Sequence, residues 1–246
     1  MSEGEGYWAA RGAPESALRR KMSQSFVDTD GYTSLELWLY VGGFVLWGVA
    51  YVIVVVNIVR KRFVEIPAFA VAANVTWEFV WGWFFTVPMG SLLQWIYRGG
   101  WALDAFITYG VWRYGSHQFI TPRGRRAFRP AFALALVAWV PAYYFFGVQG
   151  YDLPLGSNSA YICNVVDSGL YLALLLTLDD ISQFSTGVAW TKMLGTALVT
   201  VFVFLKYPDS RFAQTLGVFV FLLDSVYIVM LRQRKAGQRD SSPMTS

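Results

Sequence analysis

Apolar residues run along this chain in long unbroken stretches, separated by short polar segments rich in Arg, Lys, Gly and Pro. An α-helix needs about 20 predominantly apolar residues to cross about 30 Å of hydrocarbon. Seven stretches come close to that length: 38–59, 66–87, 92–112, 130–147, 158–178, 188–205 and 212–231. They are continuous and do not alternate in segments of about 10 residues, so helices are expected and barrel strands are not. The pattern predicts an all-α polytopic membrane protein with seven transmembrane helices in one bundle. Residues 1–34 form a polar amino-terminal segment, 35–231 the helical domain and 232–246 a polar tail that reads as disordered. Pro67 and Pro130 fall in expected first turns, Pro88 ends a run, and Pro141 should kink the fourth helix. From Pro14, the residues Leu18, Met22 and Phe26 recur every four beside Arg19, Arg20 and Lys21, the spacing of an interfacial helix.

The polar segments orient the bundle. Arg60, Lys61 and Arg62, then five arginines within 113–129, then Arg232, Arg234, Lys235 and Arg239 all fall on one side. The other side has Arg98, Lys206 and Arg211, with Arg19, Arg20 and Lys21 ahead of the first run. The positive-inside rule then sets the N-terminus outside and the C-terminus cytoplasmic. Localisation follows as multi-pass integral membrane, in the cell membrane of a bacterium or the endoplasmic reticulum of a fungus.

Composition narrows the chemistry. Hydrophobic residues make up 55% of the chain and charged residues 15%, against about 25% charged in ordinary soluble domains. The single Cys163 closes no intrachain disulfide, and one His with one Cys builds no structural zinc site. His117 sits in the basic stretch 114–129 and reads as a solvated loop residue. The net charge of +4 does not indicate nucleic acid, because the basic residues cluster at the ends of apolar runs. Eleven Trp within 18% aromatic residues exceed what interfacial belts need, so many rings lie at membrane depth.

Four acids fall inside the apolar runs: Glu78, Asp104, Asp167 and Asp224. A charged Asp at a helix centre costs about 2.5–3.5 kcal/mol on insertion scales, and such residues usually face the bundle interior and mark function. Counted along the helices, Glu78 lies about 16 Å and Asp224 about 12 Å from the cytoplasmic edge. Asp104 and Asp167 fall near mid-depth, so one shared site is expected. Asn74, Trp77, Glu78, Trp81 and Phe85 share a face of the second helix, and Gly217, Phe221, Asp224 and Tyr227 a face of the last. Trp101, Asp104 and Thr108 line up on the third, and Tyr161, Asn164, Asp167 and Ser168 nearly do on the fifth. Burial in apolar surroundings favours the neutral, protonated carboxyl, and a second carboxyl alongside adds to that. Such an acid donates a proton to an alkene or an epoxide, and aromatic faces stabilise the cations that follow.

Other chemistries fit less well. A retinal-linking lysine is missing between 212 and 231. Asp179 and Asp180 are followed by Ile181, Ser182 and Gln183, which do not complete the aspartate-rich motif that holds magnesium in diphosphate-ionising enzymes. Asp28 and Asp30 precede Gly31 and read as a turn. A proton-coupled transporter or lipid carrier would use the same acids as a relay, but no internal repeat of the usual transporter kind is visible. A purely structural membrane subunit is the third reading.

The run Ala73-Asn74-Val75-Thr76-Trp77-Glu78-Phe79-Val80 resembles the second span of the small integral-membrane terpene cyclases of fungal meroterpenoid and indole-diterpene pathways. Arg98, Trp101 and Asp104, and Asp224 with Tyr227, are similar to further segments of that family. So is 185–196 with Trp190, Lys192, Gly195 and Thr196, with lysine where the family is expected to have arginine. The resemblance covers most of the chain from Trp38 onward. It implies seven helices, no cofactor and no metal, with Glu78 and Asp224 as the essential acids of a proton-initiated cyclisation. By position Glu78 leads as general acid, Asp224 is its partner in protonation or proton relay, and Asn74 orients Glu78. Trp77, Trp81, Trp101, Asp104, Tyr161, Asn164, Asp167, Phe221 and Tyr227 are expected to support the site or line the pocket. Family members open a terminal epoxide on a prenyl chain, and similar bacterial enzymes protonate a farnesyl double bond. The Ala, Gly, Arg and Val usage leans towards a high-GC bacterium and hence a farnesylated indole or related aromatic. The expected partners are therefore a lipophilic prenylated small molecule and the lipid bilayer, with no nucleic acid and an open oligomeric state.

Overall fold

A computed structural model of the chain describes residues 25–240, and side chains as far as residue 238. The interfacial helix expected around Pro14, Leu18 and Met22 lies outside the described residues. Seven α-helices follow one another: α1 (Ser34–Lys61), α2 (Ala68–Trp83), α3 (Ser91–Tyr114), α4 (Pro122–Val148), α5 (Ser157–Thr177), α6 (Thr186–Lys206) and α7 (Arg211–Asp240). One turn of 3-10 helix, Gly115–Gln118, joins α3 to α4. The described residues contain no strand. Five helices, α1, α4, α5, α6 and α7, are long and apolar enough to cross a membrane. The other two are α2, with 16 residues, and α3, whose apolar run is interrupted by Gln94, Arg98 and Asp104.

Local chemistry sets the helix starts. Thr33 and Glu36 form a reciprocal capping box at α1. Thr121 caps α4 through Gly124 N–H, with Pro122 opening the helix, and Ser185 caps α6 through Val188 N–H. Pro130 therefore lies inside α4 and not in its first turn, because the helix begins eight residues earlier, within the arginine-rich stretch expected to be a loop. The final helix likewise runs on to Asp240, into the tail expected to be disordered.

The second apolar run breaks after Trp83. The chain from Phe84 to Gly90 is irregular but folds back, burying Phe85, Val87 and Met89. Residues 25–28 lie along it: Asp28 N–H donates to Met89 O, Ser91 N–H to Ser25 O, and Leu92 N–H to Phe26 O. Gly90 (φ 92°) is obligatory here, since a Cβ would sit 2.8 Å from Phe26 O and Asp28 N.

Helix pairs α1/α6, α2/α3, α5/α7, α6/α7, α1/α3 and α2/α5 close a ring, and α4 packs outside it against α2. The α1/α6 crossing is tight because glycines meet. A Cβ on Gly43 would lie 2.9 Å from Gly195 O, and one on Gly195 would lie 3.0 Å from Gly43 O. Buried apolar side chains form two clusters. One, around Ile58, Val111, Phe128, Leu175 and Leu231, fills the arginine-rich end. The other, around Tyr40, Trp81, Tyr97, Leu155 and Phe202, fills the opposite end. Asp104 and Asp167 fall where α3 and α5 pass from one cluster to the other.

Candidate active site

Inside the ring is a cavity of about 290 Å³, at the lower end of the range of about 300–1,000 Å³ usual for small-molecule sites. On α1, Tyr40, Phe44, Trp47 and Tyr51 face it at spacings of four, three and four. Trp77, Glu78 and Asn74 face it from α2, Ile96, Tyr97, Gly100 and Leu103 from α3, Tyr161 and Asn164 from α5, and Thr196 and Val199 from α6. From Tyr40 to Tyr51 the aromatic wall extends about 16 Å along α1.

Polar edges of these rings are satisfied by protein groups, among them Thr196, Tyr97 and Leu155 of the cavity wall. Trp47 Nε1–H donates to Thr196 Oγ1 at 3.2 Å, and Trp77 Nε1–H to Ser159 Oγ at 2.8 Å. Tyr161 O–H donates to Thr200 Oγ1 at 2.9 Å. The Tyr40 and Tyr97 hydroxyls are 2.8 Å apart, and Tyr97 donates to Leu155 O at 3.1 Å. Trp77 also contacts Trp81 and Tyr97, with ring centroids at 6.1 and 5.3 Å.

The acids fall into two groups rather than one. Glu78 and Asp104 are close neighbours on α2 and α3, carboxyl beside carboxyl. Tyr51 O–H donates to Asp104 Oδ2 at 3.3 Å. Glu78 Oε2 is buried without a partner among the described residues. Gly100 makes room for this carboxyl, since a Cβ there would lie 2.6 Å from Glu78 Oε1.

The second group gathers on Lys192. Its Nζ donates to Asp224 Oδ1 at 2.8 Å and to Ser168 Oγ at 2.7 Å, and lies 3.5 Å from Asp167 Oδ2. All of these groups are buried. Asp167 and Asp104 lie close enough to interact electrostatically.

The remaining residues singled out in the sequence separate by direction. Asn74 does not bond Glu78; its Oδ1 accepts from Cys163 Sγ–H at 2.9 Å. Trp81 is buried beside Trp77 and packs at a tilt on Phe85, with centroids 4.7 Å apart. Trp101 packs on Trp83 and Phe79 instead of lining the cavity, with centroids at 4.9 and 6.4 Å. Arg98 Nε–H donates to Gly82 O at 3.0 Å and clamps the end of α2. Tyr227 is buried against Tyr171 at 5.2 Å, close to Asp224 but outside the cavity wall. Phe221, expected on the inner face of the last helix, is 43% exposed and points outward. It lies about 60° round the helix from Asp224, enough to leave the buried stripe.

His117 is half-buried, not solvated. Its Nδ1 pairs with Tyr114 O at 2.7 Å, its ring packs on Phe63 at 4.7 Å, and burial lowers its pKa.

Several residues of the site were not singled out in the sequence. The Tyr40, Phe44, Trp47 and Tyr51 stripe has helical spacing and was the available signal. Asp152 had none. From the α4–α5 connection it accepts from Leu153, Asn158 and Ser159 N–H and from Ser159 O–H, and so braces the partner of Trp77. Burial raises its pKa to about 6 against those hydrogen bonds.

A helical membrane bundle around an aromatic cavity, with the Glu78 carboxyl in its wall and Asp104 behind it, defines the class. Residues 30–235 match the Pyr4-like transmembrane terpene cyclases, and the chain belongs to that family. It is similar to the Pyr4-family terpene cyclase mfmH of Annulohypoxylon moriforme, at 21% identity over 196 residues, covering 78% of this chain and 80% of that protein. No solved structure matches. The protein is a membrane terpene cyclase.

Proposed function

We propose that this cyclase acts on a prenyl chain, of farnesyl length, carried by an indole or other aromatic head group, and that a proton from Glu78 starts the reaction. The observation that carries the reading is Glu78 itself. Its carboxyl lies in the aromatic wall beside Asp104, and its Oε2 is buried without a partner among the described residues. Two adjoining carboxyls held away from water repel each other when both are ionised, which favours a proton shared by the pair. The pair thus holds a proton beside the cavity.

The proton passes to the terminal alkene carbon, or to the oxygen of a terminal epoxide, and leaves a tertiary cation. The next double bond supplies its electron pair to that centre, forming a ring C–C bond and moving the charge along the chain. The faces of Trp47, Trp77, Phe44 and Tyr97 stabilise the moving charge, and the apolar lining disfavours water that would trap it. Loss of a proton to a base ends the sequence, so the product is an isomer of the substrate and no metal or cofactor is consumed. Asp224 acts through Lys192 and Asp167 as a relay that restores the proton on Asp104 and Glu78. In the bilayer all seven helices traverse the membrane, the short α2 together with the folded-back segment 84–90, and the C-terminus is cytoplasmic.

The test is incubation of membranes containing the protein with farnesylated indoles and their terminal epoxides in deuterated water. A new isomer with carbon-bound deuterium identifies alkene protonation. An undeuterated isomer formed from the epoxide alone identifies epoxide opening. pH-dependent solute flux in liposomes without any isomer would replace this reading with that of a carrier.

A further inference from the structure

Asn164 lies in the cavity wall on α5. Its Nδ2 donates to Ala160 O, one turn back, at 3.0 Å. A backbone carbonyl only accepts, so this bond fixes which end of the amide faces which way. The nitrogen faces the helix and Oδ1 faces away from it, where it is buried and has no partner among the described residues. Buried carbonyl oxygens are nearly always satisfied, and the exceptions call for a physical reason.

The neighbouring polar atoms do not supply a partner. Cys163 donates to Asn74, Tyr161 to Thr200, Trp77 to Ser159 and Trp47 to Thr196. Among the described cavity-lining residues, only Glu78 and Asn164 carry buried side-chain atoms left without a partner, one on the α2 wall and one on the α5 wall. The Glu78 oxygen belongs to the acid already described. The Asn164 oxygen can only accept, and an epoxide or an alkene gives it nothing.

We propose that Asn164 is a specificity-determining residue that selects substrates whose head group carries an N–H or O–H donor, which binds Oδ1 while the prenyl chain reaches Glu78. This rests on the cyclase reading for the prenyl chain and adds the donor requirement to it. Removing the donor leaves a buried acceptor unpaired in the complex, so affinity should fall about tenfold to a hundredfold.

The test is binding to the purified full-length protein in detergent, which needs no turnover. The probes are 3-farnesylindole against 3-farnesylbenzofuran, which removes the N–H without adding bulk, and a farnesylated phenol against the arene lacking its hydroxyl. The expected result is at least tenfold tighter binding of the donor-bearing member of one or both pairs. Which pair discriminates tells whether the donor is N–H or O–H. Asn164→Leu and Asn164→Ala should bring each pair within about twofold. Both variants should keep the melting temperature of the ligand-free protein, because they remove an unpaired oxygen. Equal binding within both pairs by the unaltered protein, or discrimination that survives both substitutions, overturns the proposal, as does failure of all four probes to bind. Discrimination without any cyclised product would sink the cyclisation chemistry and leave Asn164 standing; cyclisation without discrimination would do the reverse.

Discussion

Lys192 Nζ stands 2.8 Å from one oxygen of Asp224 and 3.0 Å from the other, so the acid of the last helix is bound to a cation and not to Glu78. Asp167, at 3.5 Å, shares the same charge. Removing one member of a buried ion pair usually costs about 3–5 kcal/mol, because the partner is left charged and unpaired. Lys192→Met should therefore lower the melting temperature sharply. A double change, Lys192→Met with Asp224→Leu, should recover much of that stability and none of the turnover. Thermal unfolding in detergent beside product formation separates the two effects. Recovered turnover in the double variant would remove Lys192 and Asp224 from the proton path.

The Glu78 and Asp104 pair predicts a different pattern. Glu78→Gln keeps the size of the side chain and removes the transferable proton, so product should fall at least about 100-fold, the lower range for general acids. Expression and melting temperature should stay close to those of the unaltered protein. Asp104→Asn should reduce turnover less than Glu78→Gln does, since Asp104 is buried behind the acid that meets the cavity. The reverse order would assign the donor to Asp104.

Gly100 gives a steric test of the same acid. Gly100→Ala adds a methyl 2.6 Å from Glu78 Oε1 and 3.0 Å from its carboxyl carbon. The carboxyl must move, and small displacements of a catalytic group are costly in rate. Turnover should fall by about tenfold or more with a smaller change in KM. An unchanged rate would mean that the position of Glu78 is not critical.

Asp152 carries a pH dependence outside the membrane-spanning helices. Its pKa is raised by burial to about 6, from 3.8 in an unfolded chain. The native state therefore binds more protons than the unfolded chain between these values, and the stability contribution falls as pH rises through that window. The change is at most about 3 kcal/mol. Denaturation at pH 4.5 and 6.5 should show it, and Asp152→Asn should flatten it. The same substitution should alter the product mixture through Ser159 and Trp77, which chromatography of the products would detect.

At the α1/α6 crossing, Gly43→Val should prevent assembly. A Cβ there meets Val199 Cγ2 at 2.5 Å and the Gly195 carbonyl at 2.9 Å, and the backbone contact cannot yield. Gly48, with no heavy atom within 4 Å of its added Cβ, is the control that should accept Ala. Size-exclusion profiles of the two variants should diverge.

The helices themselves were legible because a bilayer span demands a long apolar run, and each of the seven runs overlaps one helix. Their ends were less legible. The arginines of 122–129 and the polar residues after Leu231 look like loop and tail, yet they continue α4 and α7, since helix geometry carries on past the apolar edge wherever caps and breakers do not stop it. The break after Trp83 runs the other way: residues 84–87 are apolar enough to continue a span, but the chain turns there into a packed segment.

The chemistry divides along similar lines. Buried acids are costly, so Glu78, Asp104, Asp167 and Asp224 stood out wherever they occurred, and the Asn-x-x-Trp-Glu core pointed to the family. Sequence by itself therefore determined the helices, the class of enzyme and the set of acids. Which acid meets which partner depended on helices far apart in the chain. Only the tertiary structure set Glu78 against Asp104, gave Asp224 to Lys192, turned Phe221 outward and left Asn164 Oδ1 buried without a partner among the described residues. Periodicity ranks residues around one helix, whereas a pair across two helices depends on their rotation and crossing. Here those are set by contacts such as Gly43 against Gly195, which no single helix encodes.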